Sequence, residues 1–238
     1  MEKIMPKEFG YLVNGKWETG EKKREIKSPY NGEVAGVINI PAKERALETI
    51  GCAEEAFRKF RTSPSHERRR ILRDIADGIE KRKEEFARTL VLEGGKPLKT
   101  ARVEAGRGVA TFSAAADEAG RFGEGELVPM DLTPGTEGMF GMARRFPLGI
   151  VAGISPFNFP LNLVAHKVAP ATASGNVMIL KPASQTPLSA LMLGEVAIEA
   201  GLPAGVLNIL PLPGGDIEPV LEDGRIRKIS FTGSDEIG

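Results

Sequence analysis

Polar residues that could do chemistry follow apolar runs in the second half of this sequence. Asn158 lies in "ISPFNFP", between two aromatic residues and two prolines. Because proline restricts the backbone, we expect the amide of Asn158 to be held in one orientation. A fixed amide N–H at the end of a buried strand can stabilise an oxyanion. The alternative role for Asn158 is to cap the following helix by accepting hydrogen bonds from its free N–H groups.

Lys181 begins the stretch "KPASQTP", which follows a second apolar run. In a dinucleotide-binding fold, the end of the second strand lies beside the adenosine ribose. A lysine in that position can reach hydroxyl groups or a phosphate. The alternative is a solvated surface lysine, which is the more common role of an isolated lysine.

The last stretch, "FTGSDEIG", follows the strand-like run "RKIS"; Thr232 precedes Gly233, and Ser234 and two acidic residues lie between Gly233 and Gly238. A capping hydroxyl followed by acidic residues is typical of the start of a helix, and a helix N-terminus binds phosphate. The stretch lacks the Lys-Ser/Thr ending of a triphosphatase loop and the third glycine of the usual dinucleotide fingerprint. The alternative is a strand that ends in a glycine turn.

The composition indicates an ordinary core-forming protein. Hydrophobic residues make up 41% of the 238 residues, and 32 basic residues balance 32 acidic ones. A formal net charge of zero does not favour binding to nucleic acid or to an anionic membrane. The sequence has no apolar run long enough for a transmembrane helix and no signal-peptide pattern. One cysteine excludes an internal disulfide and suggests a reducing cytosol, so we expect a cytoplasmic protein.

The residue types that usually bind metals or act as nucleophiles are scarce. Cys52 lies in an amphipathic helical pattern without a neighbouring histidine, so we expect a small buried side chain and not a nucleophile. His66 and His166 lie far apart in sequence and are expected to be structural or surface residues. No cysteine or histidine spacing indicates a metal site.

Three zones precede the strands that position these residues. Residues 1–40 contain two Asn-Gly turns between apolar residues and predict short strands. Residues 41–122 show helical periodicity in "PAKERALETIGCAEEAFRKF", in "SHERRRILRDIADGIEKRKEEFARTLVLE" and from about 100 to 121. Residues 126–148 contain β-like pieces around a Pro-Gly turn and predict a protruding hairpin.

From Gly149 onward, strands and helices alternate. Four apolar runs, in "GIVAGIS", "NVMILKP", "GVLNILP" and "KISF", predict four strands, of which the first two are expected to be buried and parallel. Between the second and third runs, Thr186 is predicted to cap a helix that begins at Pro187. Between the third and fourth runs, a short helix is expected over 216–222. The fold class is therefore α/β, with a doubly wound, mostly parallel, Rossmann-like sheet preceded by helices. Ligands bind such sheets at the carboxyl ends of the strands, where all the candidate loops lie.

Taken together, the motifs "PFNFP", "KPASQTP", "AGLPAGVLNIL" and "FTGSDEIG" resemble, in this order, the aldehyde dehydrogenase superfamily. The resemblance extends upstream to "NGEVAGVI", "EGGKPL" and "RRFPLGIVAGISPFNFP", so it covers essentially the whole chain. It implies oxidation of an aldehyde with NAD or NADP. In the family, a cysteine thiolate attacks the carbonyl, hydride passes to the nicotinamide, and a glutamate-activated water hydrolyses the thioester.

The resemblance assigns roles to single residues. Asn158 matches the asparagine that stabilises the thiohemiacetal oxyanion, and Lys181 matches the lysine that binds the adenosine ribose. Gly233 and Ser234 match the loop under the pyrophosphate. Ser184 stands where family members that prefer NAD often carry glutamate, whose charge would repel a 2′-phosphate, so we expect NADP, with NAD as the alternative.

The whole cofactor site implied by the resemblance is larger. It consists of Ser155, Pro156, Phe157, Asn158, Lys181, Pro182, Ala183, Ser184, Gly214, Gly215, Phe231, Thr232, Gly233, Ser234 and Gly238.

The family's nucleophilic cysteine and general-base glutamate lie beyond the "FTGS" motif. We therefore expect residues 1–238 to be an incomplete cofactor-binding domain without the catalytic domain, inactive on its own. In the family, the hairpin at 126–146 builds dimers or tetramers, so a homo-oligomer acting on a small, unidentified aldehyde is expected. The alternatives are a non-catalytic dinucleotide-binding or assembly protein of the same ancestry, and an enzyme that reduces acyl phosphates or acylates coenzyme A.

Overall fold

The computed structural model describes residues 7–236 of the chain. Within that range, the strands in chain order are β1 (Lys7–Phe9), β2 (Tyr11–Val13), β3 (Lys16–Glu18), β4 (Lys22–Lys27), β5 (Val34–Ile40), β6 (Glu126–Pro129), β7 (Phe140–Ala143), β8 (Ile150–Ile154), β9 (Val177–Lys181), β10 (Leu207–Ile209) and β11 (Ile226–Phe231). The helices are α1 (Lys43–Phe60), α2 (Ser65–Lys81), α3 (Lys83–Gly94), α4 (Leu98–Arg121), α5 (Asn162–Ala173), α6 (Leu188–Glu199) and α7 (Glu218–Leu221), and the 3-10 turn Gly214–Ile217 precedes α7. No helix in this range combines the length and the apolar character needed to cross a membrane.

The main sheet has the strand order β11-β8-β9-β10-β2-β3. Strands β11, β8, β9 and β10 are parallel, and β2 and β3 add an antiparallel edge. After β10 the chain returns to the far side of β8 to form β11, so the strand order reverses between β8 and β11. The prediction of a doubly wound, mostly parallel sheet is confirmed, and the reversal marks the point where such sheets bind ligands.

Helices cover both faces of this sheet and form two cores. Along β9, Met178 and Leu180 face the core built with α2 to α6, whereas Val177 and Ile179 face the core built with α1 and α7. Because β9 is buried on both faces, its sequence is a continuous apolar run instead of an alternating pattern.

A second, smaller sheet has the order β1-β5-β4, with β1 parallel and β4 antiparallel to β5. The predicted Asn-Gly hairpin joins β2 to β3 of the main sheet. Both turn residues have positive φ, 49° at Asn14 and 73° at Gly15, as a tight hairpin turn requires. Strands β6 and β7 form the predicted hairpin within 126–146.

The helical zone differs from the prediction at one point. The continuous pattern over "SHERRR…LVLE" is two helices, because Arg82 between α2 and α3 leaves the helical conformation with φ −102° and ψ 17°. Its guanidinium binds Glu85 and Glu195, which lie on α3 and α6. The apolar periodicity continues across a single non-helical residue, so the pattern does not reveal the break.

Candidate functional site

The carboxyl ends of β8, β9 and β11 lie side by side at the same level of the sheet. Ile154 pairs with Lys181 on one side and with Phe231 on the other. Just beyond these pairs, the Ser155 N–H donates to the Lys181 carbonyl at 3.3 Å, and the Thr232 N–H donates to the Ile154 carbonyl at 3.2 Å. The three predicted loops therefore leave the sheet together, at the strand-order reversal.

Asn158 is exposed and is oriented by its neighbours. Its Oδ1 accepts a hydrogen bond from the Phe159 N–H at 3.1 Å. Its backbone carbonyl accepts one from Lys96 Nζ at 2.9 Å. Within residues 7–236, the Nδ2 group has no hydrogen-bond acceptor and is available to a ligand. The side chain thus presents a donor at the end of β8, as oxyanion stabilisation requires.

The alternative role of Asn158, capping the next helix, is wrong. The backbone N–H groups of Leu161 and Asn162 at the start of α5 both donate to Glu104 Oε1, at 3.1 and 3.3 Å. Glu104 lies on α4, is almost fully buried and pairs with Lys96. A carboxylate at a helix N-terminus is favoured by both the free N–H groups and the helix dipole.

The start of α6 repeats this arrangement. Glu93 of α3 accepts hydrogen bonds from the backbone N–H groups of Leu188, at 2.6 Å, and Ser189, at 3.1 Å. The prediction that Thr186 caps this helix, with Pro187 as its first residue, is wrong. The helix begins at Leu188, and the Thr186 hydroxyl donates instead to the Phe157 carbonyl at 3.4 Å, joining two loops of the site.

Sequence reasoning did not find Glu93 and Glu104. The sequence does contain a signal for both glutamates, because each occupies a position on the buried, apolar face of an amphipathic helix. Glu93 follows Phe86 and Leu90 at helical spacing, and Glu104 precedes the buried Ala105. Burial raises the pKa of Glu93 to about 7.

Lys181 is the last residue of β9 and is only 6% exposed, so the alternative of a solvated surface lysine is wrong. Its Nζ donates to the Pro182 carbonyl at 3.3 Å. Burial and the neighbouring Arg24 lower the pKa of Lys181. Arg24, which the sequence prediction missed, reaches this loop from β4 and donates from Nη2 to the Ser184 carbonyl at 2.7 Å.

The Ser184 hydroxyl is half-buried and lies 3.4 Å from the Leu212 carbonyl, to which it donates. At that length the bond is weak, and the hydroxyl can turn to another partner. Lys181, Arg24 and the Ser184 hydroxyl therefore form one basic cluster around the loop 182–184 at the end of β9.

The loop after β11 is exposed and tightly packed against its own strand. A side chain at Gly233 would place its Cβ 2.3 Å from the Phe231 ring, so any other residue there would require that ring to move. The Thr232 hydroxyl accepts a hydrogen bond at 2.8 Å from Lys167, a buried residue of α5 whose pKa is lowered by burial. Ser234 is exposed. The loop thus exposes its backbone to solvent, with the Phe231 ring beside Gly233.

The other predicted cofactor residues occupy the same edge of the sheet. Ser155 is buried, and its hydroxyl has no partner within residues 7–236. The Phe157 ring is 59% exposed and flanks Asn158. Gly214 and Gly215 lie in the 3-10 turn after β10, three strands from β11, so they belong to the far end of the site. Pro156, Pro182 and Ala183 complete the two central loops. Gly238 lies outside the described residues.

A cavity of about 480 Å³ lies on the side of β11 that faces α5, and its lining includes Phe146, His166, Lys167 and Ser230.

Cys52 lies on α1 and packs against the core on the opposite face of the sheet from α5. Within residues 7–236, no group of three or more histidine, cysteine or acidic side chains could hold a metal ion. The described site can therefore orient and polarise a ligand with an amide, lysines and a glycine loop.

The sequence and the fold match proteins of known family. The model of the aldehyde dehydrogenase family matches residues 17–238. The 3-sulfolactaldehyde dehydrogenase of Priestia aryabhattai is 40% identical over 233 residues, which make up 98% of this chain and 48% of that protein.

Two solved structures share the fold. Aldehyde dehydrogenase 21 from Physcomitrella patens, in complex with the reaction product succinate, matches with a TM-score of 0.93 at 39% identity, over 99% of this chain and 49% of that one. The NADP-dependent glyceraldehyde-3-phosphate dehydrogenase of Bacillus halodurans, complexed with NADP, matches with a TM-score of 0.90 at 34% identity, over 95% of this chain and 48% of that one. The chain thus spans about half the length of the curated relatives it matches, and it belongs to the aldehyde dehydrogenase family.

Proposed function

We propose that this chain supplies the cofactor-binding half of an enzyme that oxidises an aldehyde to a carboxylic acid with NADP. One observation carries the proposal: the ends of β8, β9 and β11 bring Asn158, Lys181 and Gly233 to one edge of the sheet. That edge is also where the strand order reverses, the place where doubly wound sheets bind dinucleotides. Family membership supports the same assignment.

The residues at this edge fit a dinucleotide phosphate. The pyrophosphate would lie over Gly233 and Ser234 in the exposed loop after β11. Lys181 would bind the adenosine ribose, and Ser184 would lie beside the 2′ position. When bound, the nicotinamide supplies the hydride acceptor. The similar solved structures include one complexed with NADP and one described as NAD-dependent, so they support a nicotinamide dinucleotide, and the choice of NADP rests on Ser184.

Asn158 would act on the aldehyde. Its Nδ2 group is the free donor of a side chain fixed through Oδ1, so it can donate to the carbonyl oxygen of the substrate. The donor stabilises that oxygen more strongly as negative charge develops on it. Asn158 thereby lowers the barrier for nucleophilic attack without taking part in proton transfer.

The nucleophile and the general base would come from outside this chain. Cys52 lies beside Gly205, just before β10 begins, so it is at the amino end of the parallel strands and away from the candidate site at their carboxyl ends. The matching relatives are about twice as long as the matched region, which leaves room for a catalytic domain. We therefore expect the complete protein to be active and the 238-residue chain alone to bind cofactor without turnover.

Two further features belong to this proposal. The β6–β7 hairpin would join copies of the protein into a dimer or tetramer, because its exposed side chains are largely apolar. The substrate would be a small polar aldehyde, because two relatives are named 3-sulfolactaldehyde dehydrogenase and lactaldehyde dehydrogenase.

Steady-state kinetics of the full-length protein test the proposal. The protein is given each of a panel of hydroxyaldehydes and semialdehydes together with NADP or NAD. The assay measures the rate at which reduced cofactor forms and the amount of carboxylic acid produced. The proposal predicts turnover of at least one aldehyde, with a higher kcat/KM for NADP. Binding of dinucleotide without turnover of any aldehyde would favour the non-catalytic alternative.

A further inference from the structure

The motif "EGGKPL" forms the corner between α3 and α4, and none of its residues has a role in the proposed function. Gly95 ends α3 with a φ of 65°, and a Cβ there would lie 2.7 Å from the Pro29 ring. Glycine suits this position because it tolerates both the left-handed backbone and the close approach. From this corner the next residue, Lys96, extends to the loop that carries Asn158.

The ammonium group of Lys96 contacts three parts of the molecule. It forms an ion pair with Glu104 of α4 and donates a hydrogen bond to the Asn158 carbonyl at 2.9 Å. The centre of the Phe159 ring lies 4.9 Å from Nζ, a distance at which an aromatic ring attracts a cation. The side chain of Lys96 is 13% exposed and that of Glu104 is 1% exposed, so solvent screens the pair weakly. Each charge therefore depends on the other for its stability.

The ion pair holds both ends of the loop 158–161. At one end, Lys96 binds the Asn158 carbonyl. At the other end, Oε1 of Glu104 accepts hydrogen bonds from the first two backbone N–H groups of the α5 segment, at 3.1 and 3.3 Å. Between these ends, the Phe159 N–H fixes Asn158 Oδ1 at 3.1 Å. The direction of the Asn158 Nδ2 group therefore depends on the ion pair.

We propose that Lys96, through its ion pair with Glu104, is a positioning residue that aims the Asn158 amide at the carbonyl oxygen of the aldehyde. This proposal rests on the proposed function and names the residues that its oxyanion donor needs. Asn158 is itself exposed, so the surrounding core does not fix its side chain. The charge of Lys96 is needed because a neutral residue would leave Glu104 as an unpaired buried carboxylate. A misplacement of about 1 Å at a reacting centre can cost about 100-fold in rate.

The test is a double-mutant cycle in the full-length protein, with kcat and KM measured for the aldehyde that it oxidises fastest. The variants are Lys96→Met, Lys96→Arg, Asn158→Ala and the combination of Lys96→Met with Asn158→Ala. Lys96→Met should lower kcat about 10- to 100-fold, and it should change KM and the dissociation constant of NADP less than about threefold. Lys96→Arg keeps the charge and should restore most of the loss. The control is Lys99→Met, which removes an exposed lysine of α4 and should change none of these values.

The combined variant shows whether Lys96 acts through Asn158. Because Asn158→Ala has already removed the donor, the addition of Lys96→Met should lower kcat less than about threefold further. A further loss as large as that of Lys96→Met alone would overturn the proposal, and so would an unchanged kcat or an equal loss of NADP affinity in Lys96→Met. If the unaltered protein oxidises no aldehyde, the proposed function fails and this proposal fails with it.

Glu104→Gln gives the answer if Lys96→Met does not fold. This variant keeps an oxygen for the start of α5 and removes the charge that holds Lys96. A loss of kcat that disappears when Asn158→Ala is also present supports the proposal. An unchanged kcat, or a loss of the same size with and without Asn158→Ala, overturns it.

Discussion

Single residues at this site are positioned by contacts from distant parts of the chain. Asn158 is oriented by the Phe159 N–H and by Lys96 of the helical region. Lys181 shares its surroundings with Arg24, which lies on a strand of the other sheet. The motifs "PFNFP" and "KPAS" predict which residues face a ligand, because both follow buried strands. These motifs cannot predict the role of Arg24, because its contact with Ser184 joins residues 160 positions apart and leaves no local sequence pattern.

The role of Asn158 leads to a kinetic prediction. In the full-length protein, Asn158→Ala should lower kcat/KM for the aldehyde about 100- to 1,000-fold, because an oxyanion donor is lost. The dissociation constant of NADP should stay within about twofold, since the cofactor is bound mainly elsewhere. Pre-steady-state kinetics and calorimetry measure the two quantities. Asn31→Ala, in an exposed turn, is the control. Equal losses in catalysis and cofactor binding would contradict the oxyanion role.

The Ser184 hydroxyl leads to a prediction about cofactor choice. A carboxylate at this position would repel a 2′-phosphate and would pair with the nearby Arg24. Ser184→Glu should therefore lower the NADP-to-NAD ratio of kcat/KM about 10- to 100-fold. Ser184→Gln adds the same volume without charge and should shift the ratio much less. An unchanged ratio in Ser184→Glu would show that this residue does not select the cofactor.

At the scale of elements, the sheet is predictable and the helix caps are not. Continuous apolar runs and glycine stops predict β8, β9 and β10, because a strand buried on both faces must be apolar throughout. The caps of α5 and α6 come from Glu104 and Glu93, which belong to other helices. A local sequence pattern favours Thr186 as a cap, because local hydroxyls are the usual capping groups. Only the packing of α3 and α4 on the sheet places carboxylates there.

The buried Glu93 cap makes the stability of the protein depend on pH. Burial raises its pKa from 4.5 to about 7, so the folded state holds a proton that the unfolded state releases between these values. This stabilisation is fully present below pH 4.5 and is lost as pH rises towards 7. The free energy of unfolding should fall by roughly 3 kcal/mol over that window.

Glu93→Gln keeps an acceptor for the helix N-terminus and removes the titration. Denaturant unfolding of the full-length protein between pH 5 and pH 8 should show a smaller decline in this variant than in the unaltered protein. Glu222→Gln, at an exposed glutamate after α7, should leave the decline as it is. The assignment to Glu93 would be wrong if Glu93→Gln retained the full decline.

At the scale of the whole molecule, helices cover both faces of the sheet, and the hairpin extends apolar side chains into solvent. The exposed apolar residues of this segment are Leu127, Val128, Met130, Leu132, Met139, Phe140 and Met142. An exposed apolar surface of this kind is typical of a contact between protein chains. The sequence predicts the hairpin from its turn residues, and the family resemblance predicts its role in assembly.

The hairpin leads to a prediction about oligomeric state. Leu127 and Met142 face each other across the two strands, so the double substitution Leu127→Glu and Met142→Glu places two like charges in the proposed contact. Light scattering should show the full-length protein as a dimer or tetramer and the variant shifted towards monomer. Leu92→Glu changes a partly exposed apolar residue on α3 and should leave the mass unchanged. A variant with the mass of the unaltered protein would exclude the hairpin as the main contact.

The central claim is that the strand-order reversal at β8 and β11 holds NADP. A crystal structure of the full-length protein with NADP tests it most directly. We expect the pyrophosphate over Gly233, the 2′-phosphate against Lys181 and Ser184, and Asn158 Nδ2 directed at the space beside the nicotinamide. A cofactor bound away from the carboxyl ends of β8, β9 and β11 would contradict this account.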